Sequence, residues 1–354
     1  MLRYTVSSYT RIAQIACAAA LLTAFALSAH AAAVDAHAYA QRADVRAFIN
    51  ELAAEPGFAR RDLRHWFAEA RFQPKIVAAM QRPIVEPPKW FEYSPQFLTQ
   101  QRIDGGVAYY RAHRDELQRA EHEYGVPAEI VVGIIGVETF YGRNLGGYRV
   151  FDALTTLAFD YPRRATFFKG ELKEFLRLAR DERFSPLAPR GSFAGAMGVP
   201  QFMPGSYRRY AVDFDGDGHV DLWNSGADVV GSVAHYLARH DWQPGQPVLL
   251  PAIIDPDQRE TVHARLDGGI SERRGLDAWE ADGVTVYASP SELPSEPVGL
   301  VLLEAAPVDG EEATTYWIAC PNFYAITRYN RSRLYAAAVW YLAEAVKAAR
   351  DAVR

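Results

Sequence analysis

Cysteine is close to absent from this chain. Two occur in 354 residues, Cys17 and Cys320, too few for a disulfide framework. The zinc spacings of Cys and His, H-E-x-x-H, the Walker loop and G-x-S-x-G are also missing. Those gaps remove the motif-bearing routes to zinc hydrolysis, nucleotide binding and serine hydrolysis. An excess of positive charge is missing too. Lys and Arg number 38 against 43 Asp and Glu, so the formal charge is -5 and there is no broad pull on nucleic acid or anionic lipid. The apolar run from Ile12 to Leu27 is short for a membrane span and ends in small residues.

That run reads as the core of a secretory signal. Arg3 and Arg11 are the only charges before Asp35, and Ala29-His30-Ala31 fits a small-x-small cleavage site, so residues 1–31 are expected to be removed. Cys17 precedes most of the apolar stretch, which does not suit a lipid-attachment signal, so anchoring through lipid is not expected. Removal takes the charge from -5 to -7 and leaves Cys320 alone. A secreted chain of this kind has no internal disulfide, and its stability rests on its core. Hydrophobic residues make up 49% of the chain, enough for one large domain with a subdomain.

The remaining chain is mainly helical in pattern. Asp44 to about Met80 reads as helix, broken at Pro56-Gly57 and Pro74. A long helix is expected from Ser94 to Tyr124, with Ser94-Pro95 as cap and first position and Gly125 as stop. Pro127 opens the next helix, and further helices are expected over Arg163–Arg183, after Pro204 and over Asp228–His240. After Pro244 the texture changes. "PVLLPAII", "TVHARL", "GVTVYA", "VGLVLLEA" and "TTYWIAC" are short strand-like runs separated by Pro, Gly and Asp. From Asn330 the pattern is helical again.

One carboxylate stands out. In "VVGIIGVETFYGRNLGG", Glu138 interrupts a stretch that is otherwise apolar or glycine. Val131, Ile134, Ile135 and Glu138 share one helix face, so the acid continues an apolar stripe. Burial there raises a carboxyl pKa towards that of a general acid at neutral pH. A bland alternative is that Glu138 ends the helix and faces water. Gly133, Gly136 and Gly142 allow another backbone or a substrate to come close.

A second cluster lies in "DFDGDGHVDLWN", Asp213 to Asn224. Oxygen ligands at loop positions one, three and five, glycine at six and an acid at nine match an EF-hand calcium loop. Asp213, Asp215 and Asp217 would give side-chain oxygens and His219 its carbonyl. Asn224 stands where a bidentate Glu is usual, and Asp228 is a candidate to supply the missing acid. The alternative is an Asp-Gly turn without metal. With no second loop, the expected role is a structural calcium ion and not a sensor. No organic cofactor is expected. Of the seven tryptophans, Trp66, Trp90, Trp223, Trp242 and Trp340 read as core.

Taken together, "GVETFYGR", "YPRRATFFKGELKEFLRLARDE", "GSFAGAMGVPQFMPGSY", "DFDGDGHVDLW" and "FYAITRYNRSRLYAAAV" resemble the lytic murein transglycosylases of the B type. The resemblance runs from about Val45 into the last helix. It implies a mainly α, lysozyme-like fold: a helical catalytic domain over 32–244, a β-rich subdomain over 245–320, and a helix over 321–354 that completes the catalytic domain. It implies cleavage of the β-1,4 bond between N-acetylmuramic acid and N-acetylglucosamine, leaving 1,6-anhydromuramyl ends. Glu138 would be the single acid and base. Tyr93, Ser192, Gln201, Tyr236, Tyr329, Asn330 and Tyr335 would contact the sugars. The implied partners are peptidoglycan strands and other cell-wall enzymes, in the periplasm, without strong membrane association. Phe167 stands where a tyrosine is expected, and Val199-Pro200 replaces an aromatic-glycine pair before Gln201. Two rivals stay open: a hydrolytic muramidase, for which Asp152 or Asp160 would be the second carboxylate, and a non-catalytic peptidoglycan-binding protein.

Overall fold

The structure is a computed structural model that describes residues 38–82, 87–307 and 313–352. The expected signal segment, residues 1–31, lies outside the described residues. Helices dominate. α1 (Ala43–Leu52), α2 (Arg60–Ala68) and α3 (Pro74–Gln81) open the chain. The short α4 (Trp90–Tyr93) leads to α5 (Gln100–Ala112), α6 (Arg114–Tyr124) and α7 (Ala128–Thr139). α8 (Val150–Asp160), α9 (Ala165–Asp181), α10 (Pro204–Tyr210) and α11 (Gly226–Ala238) follow. α12 (Arg259–His263) and α13 (Leu276–Ala281) lie in the sheet region, and α14 (Pro321–Tyr329) and α15 (Arg333–Asp351) close the chain. Among the described residues no helix is long and apolar enough to cross a membrane.

The centre is α7. Every residue of it is buried except Glu129 and Glu138, so it is apolar all round and not along one stripe. α5, α6, α11 and α15 pack about it. Glycines set the closest approach. A Cβ on Gly133 would lie 2.7 Å from the Val339 carbonyl of α15, and one on Gly136 would lie 2.6 Å from the Tyr141 hydroxyl. α1 and α2 pack against α8 through an aromatic cluster, with Phe67 5.1 Å from Phe151 and 5.8 Å from Phe48 between ring centres.

Two sheets are present among the described residues. β1 (Tyr148–Arg149) and β2 (Arg190–Gly191) form a small antiparallel pair beside α8. The larger sheet contains β3 (Leu249–Ile254), β4 (Leu266–Asp267), β5 (Ile270–Ser271), β6 (Val284–Val286), β7 (Gly299–Glu304) and β8 (Thr314–Ala319), in the order β4-β5-β7-β8-β3-β6. Its alternation divides two cores. Leu250, Leu300 and Ile318 face a small core around the buried Trp279, while Val301 and Leu303 join the main core.

Several sequence expectations change. The helix expected over Ser94–Tyr124 is a 3₁₀ turn and two helices. Thr99, not Ser94, caps α5 by accepting from the Arg102 N–H at 3.2 Å. The break falls at His113, whose ring packs 4.4 Å from Tyr109 and lies under Gly226. "TVHARL" is the end of α12 and the start of β4, not one strand. α14 was not anticipated as a separate helix; Asn330 is extended and Ser332 starts α15.

Candidate active site

Glu138 sits in the last turn of α7. The chain leaves that helix through two residues in left-handed conformation, Phe140 and Tyr141, with φ of 52° and 59°. Such angles are uncommon for residues with side chains and are held here by tertiary contacts. The Tyr141 hydroxyl donates to the Arg102 carbonyl at 2.9 Å. The Arg102 guanidinium in turn donates to the Gly136 carbonyl and lies over the Phe140 ring. Thr139 is fully buried. Its hydroxyl donates to the Val199 carbonyl at 2.8 Å and accepts from the Gly142 N–H at 3.0 Å. Sequence reasoning passed over Thr139; the one signal was a polar residue at the end of an apolar helix.

The glutamate is surrounded by protein but keeps part of its surface open. Burial pushes its pKa up to about 7. The opposing influence is the Tyr335 hydroxyl, which donates to Glu138 Oε1 at 2.7 Å and favours the ionised form. Tyr335 itself is held well above the ordinary phenol range, by burial first and then by the Glu138 charge. Burial and then the Glu138 charge also raise Tyr329. The same causes raise Tyr93, at the end of α4. The acid therefore faces neutral phenols.

The aromatic wall continues outward. Tyr329 stacks on Tyr335 with ring centres 6.4 Å apart and 15° between planes, and donates to the Pro200 carbonyl at 2.6 Å. Tyr236, on α11, lies 4.8 Å from Tyr329 and donates to the Arg328 carbonyl at 2.7 Å. Gln201 has φ of 53°, and its amide donates to the carbonyls of Gly198 at 2.8 Å and Leu145 at 3.2 Å. The Val199-Pro200 substitution is thus accommodated: both carbonyls are used, by Thr139 and Tyr329. Ser192 accepts from the N–H groups of Ala194 and Ala196 and shapes its own turn. Asn330 is exposed beside Tyr329. Ser192 and Asn330 make no direct bond to Glu138. Phe167 is 41% exposed, so no buried hydroxyl contact is lost there.

Neither candidate for a second carboxylate reaches this site. Asp152 is buried against Arg149 at 2.7 Å and the Arg71 N–H at 2.9 Å. Asp160 accepts from Tyr39 and Arg42, both at 2.6 Å. Both are structural anchors on α8.

Asp213, Asp215 and Asp217 bring one oxygen each within 4.8 Å of one another, all exposed. Such proximity repels without a cation, and a hard oxygen donor set suits calcium. The loop is formed in advance. Asp213 accepts from the N–H groups of Gly216 at 2.7 Å and Gly218 at 2.8 Å, which hold its pKa below the usual range. His219 is exposed, with its ring 3.6 Å from Glu182. Asp228 is not in the convergent cluster. It is buried, and it accepts from the N–H groups of Phe214 at 2.7 Å and Asp221 at 2.8 Å. Through these two bonds it closes the loop. Asn224 bonds Asp221 at 2.8 Å.

Comparison with known proteins identifies relatives of the whole chain. Residues 40–344 match the family described as Transglycosylase SLT domain. The chain is 42% identical over 325 residues to membrane-bound lytic murein transglycosylase B of Escherichia coli (strain K12), covering 88% of this chain and 85% of that protein. The structure of the Escherichia coli lytic transglycosylase Slt35 in complex with calcium is similar at a TM-score of 0.77 and 41% identity, over 88% of this chain and 94% of that one. SltB3 from Pseudomonas aeruginosa, solved with NAG-anhNAM-pentapeptide, is similar at a TM-score of 0.72 and 31% identity, over 85% and 78%.

Proposed function

The chain belongs to the lytic murein transglycosylases of the SLT type, and from that premise we propose that it cuts the β-1,4 bond after N-acetylmuramic acid with Glu138 as sole acid and base, forming a 1,6-anhydro end. The observation that carries this reading is a carboxyl raised by burial to about 7 and bonded to a phenol, while Asp152 and Asp160 are engaged with Arg149 and Arg42 elsewhere. Glycosidases with two carboxylates place them roughly 5 to 9.5 Å apart. Here Glu138 gives its proton to the glycosidic oxygen as the C1–O bond breaks. The C6 hydroxyl of the same ring then bonds to C1, and its proton returns to Glu138. Atoms and charge close over the cycle, and no water is consumed. Attack from within the ring gains from proximity. Tyr335 steadies the carboxylate between the two proton transfers. Tyr93, Tyr236, Tyr329, Asn330, Ser192 and Gln201 are assigned to sugar contact.

Asp213, Asp215 and Asp217, with the His219 carbonyl, would hold a calcium ion. A cation there relieves the repulsion from Asp215 felt by Asp228, whose pKa is raised mainly by burial. The ion supplies structure to the loop and no chemistry. The terminal segment with Arg3, Arg11 and Ala29-His30-Ala31 supports export to the periplasm, where the substrate lies.

The test is digestion of purified sacculi in heavy-oxygen water, followed by mass spectrometry of the soluble muropeptides. The new muramyl ends should be lighter than hydrolysed ends by one water and carry no label. Label at C1 in most of the product would make water the nucleophile and the protein a muramidase.

A further inference from the structure

A hollow of about 570 Å³ lies away from Glu138, between the calcium loop and the segment that leads into β2. Phe184, Tyr207 and Trp223 give it aromatic walls, and Glu182, Arg190 and Asn224 give it polar edges. Trp223 was expected in the core. Instead its indole is only partly buried, edge-on to Phe184 at 6.3 Å and 75°, and 5.8 Å from Tyr207. A second hollow of about 210 Å³ shares Trp223 and Asn224 and reaches Gly142 and Val199, both of which bond to Thr139 beside the acid. Arg190, on the first hollow, is two residues from Ser192.

The lining selects a class of ligand. Arg190 and Glu182 offset one another, and His219 lies beside Glu182. The Asp221 carboxylate is occupied by the N–H groups of Trp223 and Asn224 and by the Asn224 amide. Two carboxylates against one guanidinium suit a polyanion poorly, and the Asp221 oxygens already have N–H donors where a cation would have to sit. What remains is an indole with an open surface, a free amide carbonyl on Asn224, and guanidinium donors on Arg190, one of which already holds the Gly147 carbonyl. Such a set fits an uncharged ring that has C–H groups on one face and hydroxyl and acetamido groups at its edge. The size falls within the range of small-molecule sites.

We propose that this hollow is a second saccharide site, which takes an N-acetylhexosamine unit of a glycan strand at Trp223 while another part of the strand is cut at Glu138. The inference rests on the glycan-cleaving reading above and adds a site outside the catalytic cleft. It makes the protein hold polymeric substrate at two points, so that local concentration of strand near the acid rises without any change in the chemical step.

The probe is tri-N-acetylchitotriose, added to full-length mature protein in calcium-containing buffer. The indole N–H signal of Trp223 is assigned in a proton–nitrogen spectrum by its loss in Trp223→Phe. It should move on titration. Arg190→Gln, at an exposed position, should weaken that titration about tenfold or more. In Arg190→Gln and Trp223→Leu the rate on intact sacculi should fall several-fold, with turnover of a soluble two-disaccharide strand within about twofold of wild type. A Trp223 signal that stays still while cleft resonances saturate overturns the proposal, as does an Arg190→Gln protein that titrates like wild type. Failure of the glycan-cleaving reading looks different: saccharide moves Trp223, yet no anhydro ends form.

Discussion

Glu138 carries the sharpest expectations at the scale of single residues. Glu138→Gln keeps the shape and removes the proton, so turnover should fall by at least about 10²–10⁴-fold with the fold intact; near wild-type turnover would end the assignment. The acid must be protonated to start the cycle, so the rate should decline as pH rises through about 7. Stability follows the same ionisation. A folded pKa raised from 4.5 to about 7 gives a contribution that is full below 4.5 and lost as pH rises to about 7. The change is on the order of 3 kcal/mol, and Glu138→Gln should not show it. Thermal unfolding of both proteins at pH 5 and pH 8 measures the difference. Tyr335→Phe removes the hydroxyl that favours the carboxylate, so the alkaline limb of the rate profile should move up, by about one unit. An unmoved limb would mean that the 2.7 Å bond does not govern the acid. Glu138 itself was legible, because a carboxylate in an apolar, glycine-rich helix needs a reason. Its partner was not legible from spacing, since Tyr335 stands 197 residues later and only the packing of two helices joins them.

That packing belongs to the scale of elements. α15 reaches Glu138 because Gly133 lets the backbone of one helix meet the other. Gly133→Ala should improve helix propensity by up to about 1 kcal/mol. It also places a methyl 2.7 Å from the Val339 carbonyl, which is backbone and cannot rotate away. Overpacking of this kind costs about 1–3 kcal/mol, so the net effect should be a loss of stability. Because α15 carries Tyr335, turnover should fall as well. A stable, fully active Gly133→Ala protein would show that the approach of the helices does not set the site. Elements with strong punctuation were readable in the chain: Gly125 and Pro127 bracket the start of α7, and the apolar runs of β3, β7 and β8 are bounded by Pro and Gly. What escaped was decided by tertiary contacts. His113 breaks the α5–α6 stretch because its ring packs on Tyr109, and α14 separates from α15 at the three residues 330–332, which include no Pro or Gly. The aspartate loop was read from its spacing, but the task of Asp228 depended on which N–H groups lay above it.

At the scale of the whole molecule the question is how far the calcium loop governs the catalytic end. There is a mechanical link: the Val199 N–H donates to the Leu222 carbonyl at 2.8 Å, and the Val199 carbonyl accepts from Thr139 beside the acid. Loss of the ion nevertheless need not disturb that link. Asp228 holds the loop at both Phe214 and Asp221 with no metal involved, and Tyr207 donates to the Val220 carbonyl at 2.6 Å. Removing calcium should therefore restore repulsion among Asp213, Asp215 and Asp217 while leaving Leu222 in place. The cost appears as stability. At a free calcium concentration 100 times its dissociation constant, an ion bound only by the folded state contributes about 2.7 kcal/mol. For a domain of this size that is on the order of 5 °C in Tm. Chelation should lower the melting temperature by about that amount and leave turnover, assayed well below it, within about twofold. Asp213→Asn with Asp217→Asn should melt like the chelated protein and no longer respond to calcium. A melting curve that saturating calcium leaves unmoved would remove the ion from the loop. A collapse of turnover on chelation, at temperatures where the fold persists, would mean that the path through Leu222 and Val199 transmits the loss directly to Glu138.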